Sequence, residues 1–431
     1  MMMSSMPTSR NETKRHTADR FPEILLGICL VVGMSGCRTS EPASPIEAEE
    51  AVVIEVHEDY QQFYGHKVNA PCDTALYELS DEGFERCGYV TSDVIIDVEQ
   101  GIGNMLHITD SSLYVNGDDV TASDRWYRND TRLVPYEKCI VTETSYDLIS
   151  ESGQEVLHLS NSNQYPVYVL PGEDGRYGVR FMNAIWYIPE TQVTQVIVTE
   201  GEPQNLAESI PVLMYHFFYS EEDGGKRVDG NYVEVKELEE QLAYISANDF
   251  NACTMRELQY WMEGRGQLPE GSIAITIDDA DPSVHQYAMP LFVKYGLHAT
   301  NFVICGWQPP TMPYELWEMR ENGMELQSHG FLTHTGGCSG MGHGGLLQCM
   351  DHTEGVEDTI RSFEYVDGGF VYCYPFGDIN SHAESILRDA GTKLAFSTQG
   401  GRITQSMDPL ALPRVRVTGG EGLSAFAAKL S

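Results

Sequence analysis

The sequence has 431 residues, which is too many for one ordinary hydrophobic core and predicts two or three domains. Apolar residues make up 42% of the chain, a value that is ordinary for globular proteins and excludes disorder over the whole length. The formal net charge is −37, so the surface repels nucleic acid and anionic lipid headgroups and suits a neutral or cationic partner such as a glycan, although solubility alone also accounts for it.

The first 50 residues have the features of an export signal followed by a tether. Basic residues between 10 and 20 precede an apolar run at 24–34, which is shorter than a membrane-spanning helix requires. The run ends in Met-Ser-Gly-Cys, and small residues before Cys37 resemble a bacterial lipoprotein signal, which implies a lipid anchor on that cysteine. A plain secretory signal and an uncleaved membrane anchor are the alternatives. We assign 1–37 to a signal and 38–50 to an acidic linker, and we expect an exported protein held outside the cytoplasmic membrane or in the envelope.

Ten cysteines are present, and eight remain once Cys29 and Cys37 of the signal are set aside. In an exported protein these thiols can form disulfides. Two pairs that are close in sequence are candidates, and buried free thiols are the alternative. The candidate pairs are Cys72 with Cys87 and Cys338 with Cys349.

Residues 51–203 are rich in β-forming residues and turns and have little helical periodicity, which predicts a β-rich region. Within it, 165–181 predicts a hairpin with its turn at 172–175. The stretches 104–120 and 177–193 are loosely alike, because each has a strand, a tight turn and an aromatic strand before a polar turn. They resemble bacterial SH3-like modules, which bind cell-wall components or act as spacers.

From 205 to 425, strand-like runs alternate with helical ones. The segment 235–249 has the spacing of an amphipathic helix, and the strand-like runs are almost wholly apolar, as buried parallel strands are. Seven such strands with intervening helices predict an irregular α/β barrel, in which chemistry lies at the C-terminal ends of the strands. The seven predicted strands are 210–216, 272–278, 299–304, 324–328, 370–374, 393–398 and 410–417.

Three aspartates lie at the end of the predicted strand in ITIDDAD. Asp281 precedes a proline at the start of a predicted helix, which is an N-cap arrangement and predicts a structural role. Asp278 and Asp279 have no such explanation, because neighbouring carboxylates repel unless a cation neutralises one of them. Side-chain alternation relaxes where the chain leaves the strand, so both carboxylates can face one pocket.

Two histidines, His329 and His334, follow another predicted strand and can supply further ligands. Their spacing of five does not fit one face of a helix and fits a loop that folds back. One carboxylate and two neutral imidazoles leave open positions on a divalent metal, as a catalytic zinc site requires. Such a metal lowers the pKa of bound water, and the other aspartate is then free to take the water's proton. Two histidines in a glycine-rich loop are otherwise ordinary surface residues.

The stretch 210–417 carries the motifs IPVLMYH, ITIDDA, FVKYGLHATNFV, MELQSHGFLTH, YPFGD and LALPR. In this order they resemble the polysaccharide deacetylases of carbohydrate esterase family 4, which have the NodB-like fold. The five-residue histidine spacing is most similar to the poly-N-acetylglucosamine deacetylase branch of that family. The resemblance covers about half of the chain and implies a deformed (β/α)7 barrel.

The resemblance also implies roles for individual residues. Asp278 matches the general base, His216 matches the position of the general acid, and the backbone N–H of Phe376 matches the donor to the oxyanion. The implied metal ligands are Asp279, His329 and His334. Two further residues of the YPFGD motif, Tyr374 and Pro375, are candidates for contacting the substrate or orienting the site. The implied cofactor is a divalent metal, Zn²⁺ in the first place, with Ni²⁺, Co²⁺ or Mn²⁺ as alternatives.

Several family features are absent. Ala280 stands where the family usually has glycine, and a methyl group there could shift the loop if the backbone needs a positive φ. The arginine that many members carry before the proline-containing motif is missing, as is the late Leu-x-His motif. Arg414 or Arg416 of LPRVRV could instead orient Asp278 by an ion pair, with an ordinary barrel-end salt bridge as the alternative.

The segment 338–349 looks like an insertion beside the site. A bridge between Cys338 and Cys349 would make it a rigid rim. Cys338 or His343 as an additional metal ligand is the minor alternative.

We therefore expect an exported, lipid-anchored, metal-dependent deacetylase that removes acetyl groups, N-acetyl in the first place, from an extracellular or cell-wall polysaccharide. No nucleic-acid partner is expected. One rival is a catalytically silent glycan-binding lipoprotein, which Ala280 and the missing late histidine motivate. Another is a different hydrolase on the same barrel, such as a peptidoglycan amidase. A glycosidase with two catalytic carboxylates would leave both histidines unexplained.

Overall fold

The computed structural model describes residues 58–63, 65–123, 130–200, 205–339 and 342–430. The predicted signal, the linker at 38–50 and Cys37 lie outside these residues. In the described part of the chain, no helix combines the length and the apolarity needed to cross a membrane.

In the described residues of the β-rich region, fourteen strands form one antiparallel arrangement. The first seven strands are β1 (His66–Ala70), β2 (Ala75–Ser80), β3 (Gly83–Val90), β4 (Val94–Ile102), β5 (Met105–Ile108), β6 (Leu113–Asn116) and β7 (Thr121–Ala122). The next seven strands are β8 (Lys138–Thr142), β9 (Tyr146–Ile149), β10 (Val156–Leu159), β11 (Gln164–Val169), β12 (Arg176–Phe181), β13 (Ala184–Pro189) and β14 (Val193–Val198).

The two sets of seven strands repeat one topology. β1 pairs with β4 and β7, as β8 pairs with β11 and β14. β2 pairs with β3 and β6, as β9 pairs with β10 and β13. In each set a short 3₁₀ helix, Gly117–Asp119 or Glu190–Gln192, precedes the last strand. The loosely similar stretches 104–120 and 177–193 therefore occupy equivalent positions in two copies of one module.

The two modules share a core. β3 of the first pairs with β10 of the second, with Val90 opposite Leu157. Buried apolar side chains of both modules form one continuous cluster. The predicted hairpin is β11 and β12, whose turn is closed by a hydrogen bond from Gly175 N to Gly172 O of 3.1 Å.

The second half alternates strands and helices. Its strands are β15 (Val212–Tyr215), β16 (Phe217–Tyr219), β17 (Tyr232–Glu234), β18 (Asn251–Ala252), β19 (Ser272–Asp279), β20 (Ala299–Val303), β21 (Met324–Ser328), β22 (Val371–Cys373), β23 (Leu394–Gly400) and β24 (Leu412–Arg416). Its helices are α1 (Val235–Ala247), α2 (Met255–Met262), α3 (Met289–Tyr295), α4 (Tyr314–Glu321), α5 (His352–Tyr365), α6 (Ser381–Asp389) and α7 (Leu423–Leu430).

Seven parallel strands close into a barrel, which confirms the predicted fold class. Their order is β15, β19, β20, β21, β22, β23 and β24, and β24 pairs again with β15. The barrel is irregular between β21 and β22, where Ser328 opposite Tyr372 is the single register pair. The side chain of Gln327 compensates, because its Oε1 accepts hydrogen bonds from the backbone N–H groups of Phe370 and Val371, both 3.0 Å long.

The second module packs on α2 of the barrel. Buried Tyr187 of β13 lies in one apolar cluster with Leu258 and Trp261, and its hydroxyl is 2.6 Å from that of Tyr260. Buried Glu257 accepts hydrogen bonds from Thr131 Oγ1 (2.8 Å) and Arg132 N (2.5 Å), which lie in the connection between the modules. Without the modules, the barrel would expose this apolar cluster to water, so the two parts are expected to fold as one unit.

Candidate metal centre and active site

The aspartate pair lies where β19 ends at the mouth of the barrel. Asp278 is buried, and Asp279 is partly exposed. The backbone of Asp279 has φ +77° and that of Ala280 has φ +52°, so both residues are left-handed. This conformation costs roughly 1–2 kcal/mol per residue for a side chain other than glycine. Ala280 thus adopts the positive φ at which the family usually has glycine, and the strained turn ends the alternation of the strand and brings both carboxylates to one side.

Asp279, His329 and His334 come together as a group of metal-ligand type. Asp279 Oδ1 is 3.4 Å from His329 Nε2 and 3.4 Å from His334 Nε2. These distances are long for hydrogen bonds, which are 2.7–3.2 Å for N–H donors. Two ligand atoms that are each about 2.0–2.1 Å from one tetrahedral cation lie about 3.3–3.4 Å apart. The donor set and its spacing therefore fit a divalent metal.

The protein fixes which nitrogen of His329 faces that group. His329 Nδ1 donates a hydrogen bond of 2.7 Å to the backbone carbonyl of Cys373, so Nε2 presents its lone pair towards Asp279 when the ring is neutral. The pKa of Asp279 is held far below its usual range: burial raises it, but the closeness of both histidines outweighs that effect. Asp279 is therefore anionic at any physiological pH.

The loop that carries His334 is held by a tight turn of its own backbone and by hydrogen bonds to α5. Gly330 has φ +85°, and a Cβ there would lie 2.0 Å from Thr333 Oγ1, so only glycine fits the turn. The carboxylate of Asp358 on α5 accepts hydrogen bonds from the backbone N–H groups of Phe331 (3.1 Å) and Leu332 (2.8 Å). These bonds explain why a spacing of five brings two imidazoles to one carboxylate.

Asp278 forms a buried, bidentate ion pair with Arg414 of β24. Arg414 Nη1 and Nη2 are each 2.7 Å from a different oxygen of the Asp278 carboxylate, and the Arg414 side chain is fully buried. Burial raises the pKa of Asp278, but the charge and hydrogen bonds of Arg414 prevail and lower it to about 2. Of the two candidate arginines, Arg414 pairs with Asp278, while exposed Arg416 contacts Asn231.

Three further acceptors hold the guanidinium of Arg414 in place. Nε donates to the backbone carbonyl of Ser397 (3.0 Å), Nη1 to Thr276 Oγ1 (3.1 Å), and Nη2 to Cys373 Sγ (3.1 Å). Such a fixed planar fork determines the orientation of the carboxylate it binds.

His216 lies at the end of β15, on the other side of Asp278. Its Nε2 is 3.7 Å from Asp278 Oδ2, and its side chain is mostly buried. Burial lowers the pKa of His216, and the charge of Asp278 offsets this only in part. Asp278 thus lies between a permanently charged arginine and a histidine that can carry a proton.

Phe376 lies in the turn after β22, and its backbone is also left-handed, with φ +62°. Its ring centroid is 4.8 Å from that of His334. Tyr374 is fully buried and donates its hydroxyl hydrogen to the carbonyl of Leu410 (2.9 Å), and Pro375 is also buried. Of the two predicted roles, contact with substrate or orientation of the site, their burial favours orientation, because both side chains lie beneath the turn that holds Phe376.

The disulfide expected in the segment 338–349 is present. Cys338 and Cys349 are joined by a disulfide, which removes Cys338 from the candidate metal ligands. His343 is exposed, and its Nδ1 is 3.6 Å from Asp378 Oδ1 rather than beside the metal-ligand group. The other predicted disulfide is wrong: Cys72 is an exposed free thiol and Cys87 a buried one.

Asp281 has the capping role predicted from its sequence context. Its Oδ1 accepts a hydrogen bond of 2.9 Å from the backbone N–H of Ser283, at the start of the helical segment after β19. Its carboxylate therefore serves the backbone and is not part of the group formed by Asp279 and the histidines.

Sequence reasoning missed three residues that contact this site. Cys373 holds His329 and Arg414, Asp358 holds the loop of His334, and the ring of Trp307 lies 5.1 Å from that of His334. Trp307 and Cys373 lie at or just after the C-terminal ends of β20 and β22, and the rule that barrel chemistry lies at those ends could have identified them.

A cleft of about 350 Å³ lies elsewhere, between the modules and α2. Four of its charged side chains form two pairs: Lys67 Nζ is 2.7 Å from Asp97 Oδ1, and Arg256 Nε is 2.6 Å from Glu151 Oε1. No histidine or cysteine is among its lining residues. The pair of Arg256 and Glu151 joins the second module to α2.

Known proteins are similar to the part of the chain that contains most residues of the site. Residues 265–395 match the model of the polysaccharide deacetylase family. The poly-β-1,6-N-acetyl-D-glucosamine N-deacetylase of Staphylococcus aureus is 24% identical over 217 residues, which are 47% of this chain and 72% of that protein. The enzyme of the same name from Staphylococcus epidermidis is 26% identical over 216 residues, 47% of this chain and 73% of its own.

Several solved structures are also similar. The IcaB protein of Ammonifex degensii is 21% identical, with a TM-score of 0.45, and the match covers 53% of this chain and 100% of that one. A polysaccharide deacetylase from Bacillus cereus is 16% identical, with a TM-score of 0.43, and the match covers 72% of this chain and 94% of that one.

Proposed function

We propose that this chain, which contains a polysaccharide deacetylase domain, hydrolyses N-acetyl groups of an N-acetylglucosamine polymer outside the cytoplasm. The domain is that of a hydrolase acting on carbon–nitrogen bonds other than peptide bonds. The observation that carries the proposal is the grouping of Asp279, His329 and His334 beside the Asp278–Arg414 pair. The relatives that match this domain are named for removing N-acetyl groups from such a polymer.

Asp279, His329 and His334 would hold the cation. One carboxylate and two imidazoles favour Zn²⁺ among divalent metals, with Ni²⁺, Co²⁺ and Mn²⁺ as alternatives. When bound, the cation supplies Lewis-acid chemistry, which makes a water molecule more acidic and polarises the acetamide carbonyl. A metal analysis of the purified protein would identify the ion.

Asp278 would act as the general base. In the reaction, the oxygen of a water molecule attacks the acetamide carbon, and Asp278 accepts the proton that the water loses. Arg414 keeps Asp278 ionised, so the carboxylate carries no proton at neutral pH. The same low pKa makes it a weak base, and the acidity that a bound cation would give the water would offset this weakness. The Phe376 N–H would donate a hydrogen bond to the oxyanion that develops on the carbonyl oxygen.

His216 would complete the reaction as general acid. The carbon–nitrogen bond breaks, the nitrogen takes a proton from His216, and acetate and a free amine leave. Because burial lowers its pKa, a protonated His216 is a stronger acid than an exposed imidazolium and donates more readily.

The proposal is tested by acetate release from acetylated glycans with the full chain. Chito-oligosaccharides, poly-N-acetylglucosamine, peptidoglycan and acetylxylan would be compared with added Zn²⁺ and with a chelator. We expect acetate from an N-acetylglucosamine polymer, and loss of that acetate in chelator with recovery on adding metal. Release of peptides or of new sugar ends would instead favour an amidase or another hydrolase. Glycan binding without acetate and without bound metal would favour a silent glycan-binding protein.

We also propose, from the sequence alone, that Cys37 carries a lipid anchor and that the β-rich modules bind wall glycan or space the barrel from the membrane. Replacing the cysteine by serine (Cys37→Ser) would then move the protein from the membrane fraction to the soluble fraction of the producing cells. Continued membrane association of the variant would favour an uncleaved N-terminal segment as the anchor.

A further inference from the structure

One segment beside the site is closed on itself by the disulfide between its first and last residues, Cys338 and Cys349. The described part of this bridged segment folds back on the loop that carries His334. Leu346 N donates a hydrogen bond of 2.9 Å to the backbone carbonyl of Thr335, the residue directly after His334. The bridged segment is therefore attached to the loop of a proposed metal ligand.

The opposite side of the bridged segment is attached to the turn that carries Phe376. Asp378 directly follows that turn and is buried. Its Oδ2 accepts hydrogen bonds from the backbone N–H groups of His343 (2.7 Å) and Gly345 (2.9 Å). The backbone N–H of Asp378 donates to Pro375 O (3.2 Å), so the same residue closes the turn and binds the segment. Asp378 thus joins the bridged segment to the proposed oxyanion donor.

The bridged segment approaches Asp378 so closely that two of its positions require glycine. A Cβ on Gly342, which has φ +55°, would lie 1.9 Å from Asp378 Oδ1. A Cβ on Gly344, which has φ +78°, would lie 2.4 Å from Cys338 O. The glycines therefore allow the backbone of the segment to turn and to reach the Asp378 carboxylate.

The two attachments span the part of the barrel where the strands are least paired. His334 follows β21 and Phe376 follows β22, and Ser328 opposite Tyr372 is the single register pair between these strands. The cation held by His334 and the Phe376 N–H would both act on one acetamide oxygen, so their separation must match that atom. The bridged segment supplies a second connection across this gap, at the end of the barrel where the chemistry lies.

The disulfide joins the two ends of the bridged segment, which are held by different elements. At the first end, Cys338 N donates a hydrogen bond of 3.0 Å to Gly344 O within the segment. At the last end, Asn380, the N-cap of α6, donates a hydrogen bond of 3.0 Å from its side chain to Gln348 O. The disulfide therefore ties the metal-ligand side of the segment to a part that is fixed on α6.

From these attachments we infer that the bridged segment sets the position of the Phe376 N–H relative to the proposed metal ligands, so that the rate of deacetylation depends on the redox state of the Cys338–Cys349 bridge. The inference rests on the proposed function and adds a regulation to it, with Asp378 as a positioning residue. Reduction transfers two electrons and two protons from thiol reductants to the bridge, which leaves two thiols here and a disulfide in the reductant. Because disulfides persist outside the cytoplasm and are reduced within it, the chain would reach its full rate only after export.

The first test removes the bridge from the full chain. For N-acetylglucosamine oligomers, the double variant Cys338→Ser/Cys349→Ser is expected to have a kcat about tenfold lower and an unchanged KM, because a displaced oxyanion donor weakens the transition state rather than substrate binding. Treating the wild type with a thiol reductant should lower kcat to the same level, and reoxidation should restore it, whereas the double variant should not respond. Cys72→Ser removes an exposed free thiol and is the matched control, which should behave as wild type.

The second test displaces the segment and leaves the bridge in place. Gly342→Ala puts a Cβ against Asp378 Oδ1 and should lower kcat about tenfold, again with an unchanged KM. Gly391→Ala is the matched control, because Gly391 also has a positive φ (+83°) but a Cβ there meets nothing within 4 Å. Asp378→Asn keeps one acceptor oxygen and should lose less activity than Asp378→Ala.

The outcomes separate this inference from the proposed function. The metal content of every sample is measured, because the segment also contacts the loop of His334. A wild-type kcat in the serine double variant, or a fall in kcat that only follows a loss of metal, would overturn the inference while leaving deacetylation intact. If the wild type releases no acetate, hydrogen exchange in the peptide that spans 374–378 decides. Faster exchange after reduction supports the coupling, and unchanged exchange overturns it.

Discussion

Replacing Asp279 by alanine is expected to remove bound metal and to lower acetate release at least about a thousandfold, because Lewis-acid catalysis is worth several kcal/mol and each 1.4 kcal/mol is tenfold in rate. Asp279 is the anionic member of the group, and both imidazoles approach the same oxygen of its carboxylate. Its loss leaves two neutral ligands facing a divalent cation. Metal content and acetate release, measured on the same preparation, would check the prediction.

Asp281→Ala is the control for this experiment. The same side chain is removed two positions further along the chain, but Asp281 caps a helix through Ser283 N and does not belong to the metal-ligand group. Its removal is expected to lower the free energy of unfolding by about 1 kcal/mol, the usual cost of a lost N-cap, and to leave metal content and activity in place. Full activity of Asp279→Ala with bound metal would show that the ligands lie elsewhere.

The barrel could be predicted from sequence because its strands are short apolar runs that alternate with helices. All seven predicted strands are found, and they alone close the barrel. Helix α2 was not identified from the sequence, although Thr254 and Glu257 form a capping box at its start. Most of its side chains are buried, including Glu257 and Gln259, because the β-rich modules cover the face that would otherwise meet water. No sequence pattern of α2 alone indicates that its polar side chains are covered in this way.

The duplication of the β-rich module could be recognised only in part from the sequence. Its sequence signal is limited to the stretches 104–120 and 177–193, which carry the hairpin and 3₁₀ helix of each copy. The pairing of β3 with β10 joins residues about 70 positions apart, and no local pattern specifies it. Disulfide pairing cannot be predicted from local spacing either. The separation of Cys72 and Cys87 resembles that of a bridged pair, although both thiols are free.

In the active site, sequence reasoning found the residues with distinctive chemistry and missed those that position them. Asp278, Asp279, His329 and His334 form motifs at strand ends, and the structure brings all four together. The sequence left the partner of Asp278 open between Arg414 and Arg416, because residues two apart on a strand face the same side and only the register of the strand decides which one lies level with Asp278. The rule on strand ends singles out the position of Cys373, but not its contact with His329, because that contact uses the backbone carbonyl, which every residue possesses.

Substitutions in the ion pair between Asp278 and Arg414 are expected to have large and coupled effects on the free energy of unfolding. Asp278→Asn removes the proposed base and leaves the Arg414 guanidinium buried without a countercharge. Arg414→Met leaves the Asp278 carboxylate buried and without its arginine. Breaking a buried pair in this way costs about 3–5 kcal/mol, so each single variant should lower the free energy of unfolding by about that amount. Acetate release should be lost in Asp278→Asn even with metal bound.

The double variant Asp278→Asn/Arg414→Met should be more stable than the sum of the single effects predicts, since no uncompensated charge remains. The coupling of residues in one buried network is about 0.5–3 kcal/mol. Denaturant unfolding of the full chain would measure it, with chelator in every sample because a metal that binds only the folded state would add stability of its own. Arg416→Met is the control, because Arg416 is exposed and contacts Asn231 rather than Asp278.

The stability of the double variant also separates two reasons for keeping a charged pair inside the barrel. A buried ion pair repays its desolvation cost only in part, and neutral side chains of similar volume often serve the fold equally well. A double variant that is as stable as the wild type but inactive would mean that the pair contributes to catalysis rather than to folding. A double variant as unstable as the sum of the singles would contradict the predicted coupling. Arg414 would then stabilise the barrel through its bonds to Thr276, Ser397 and Cys373 rather than through Asp278.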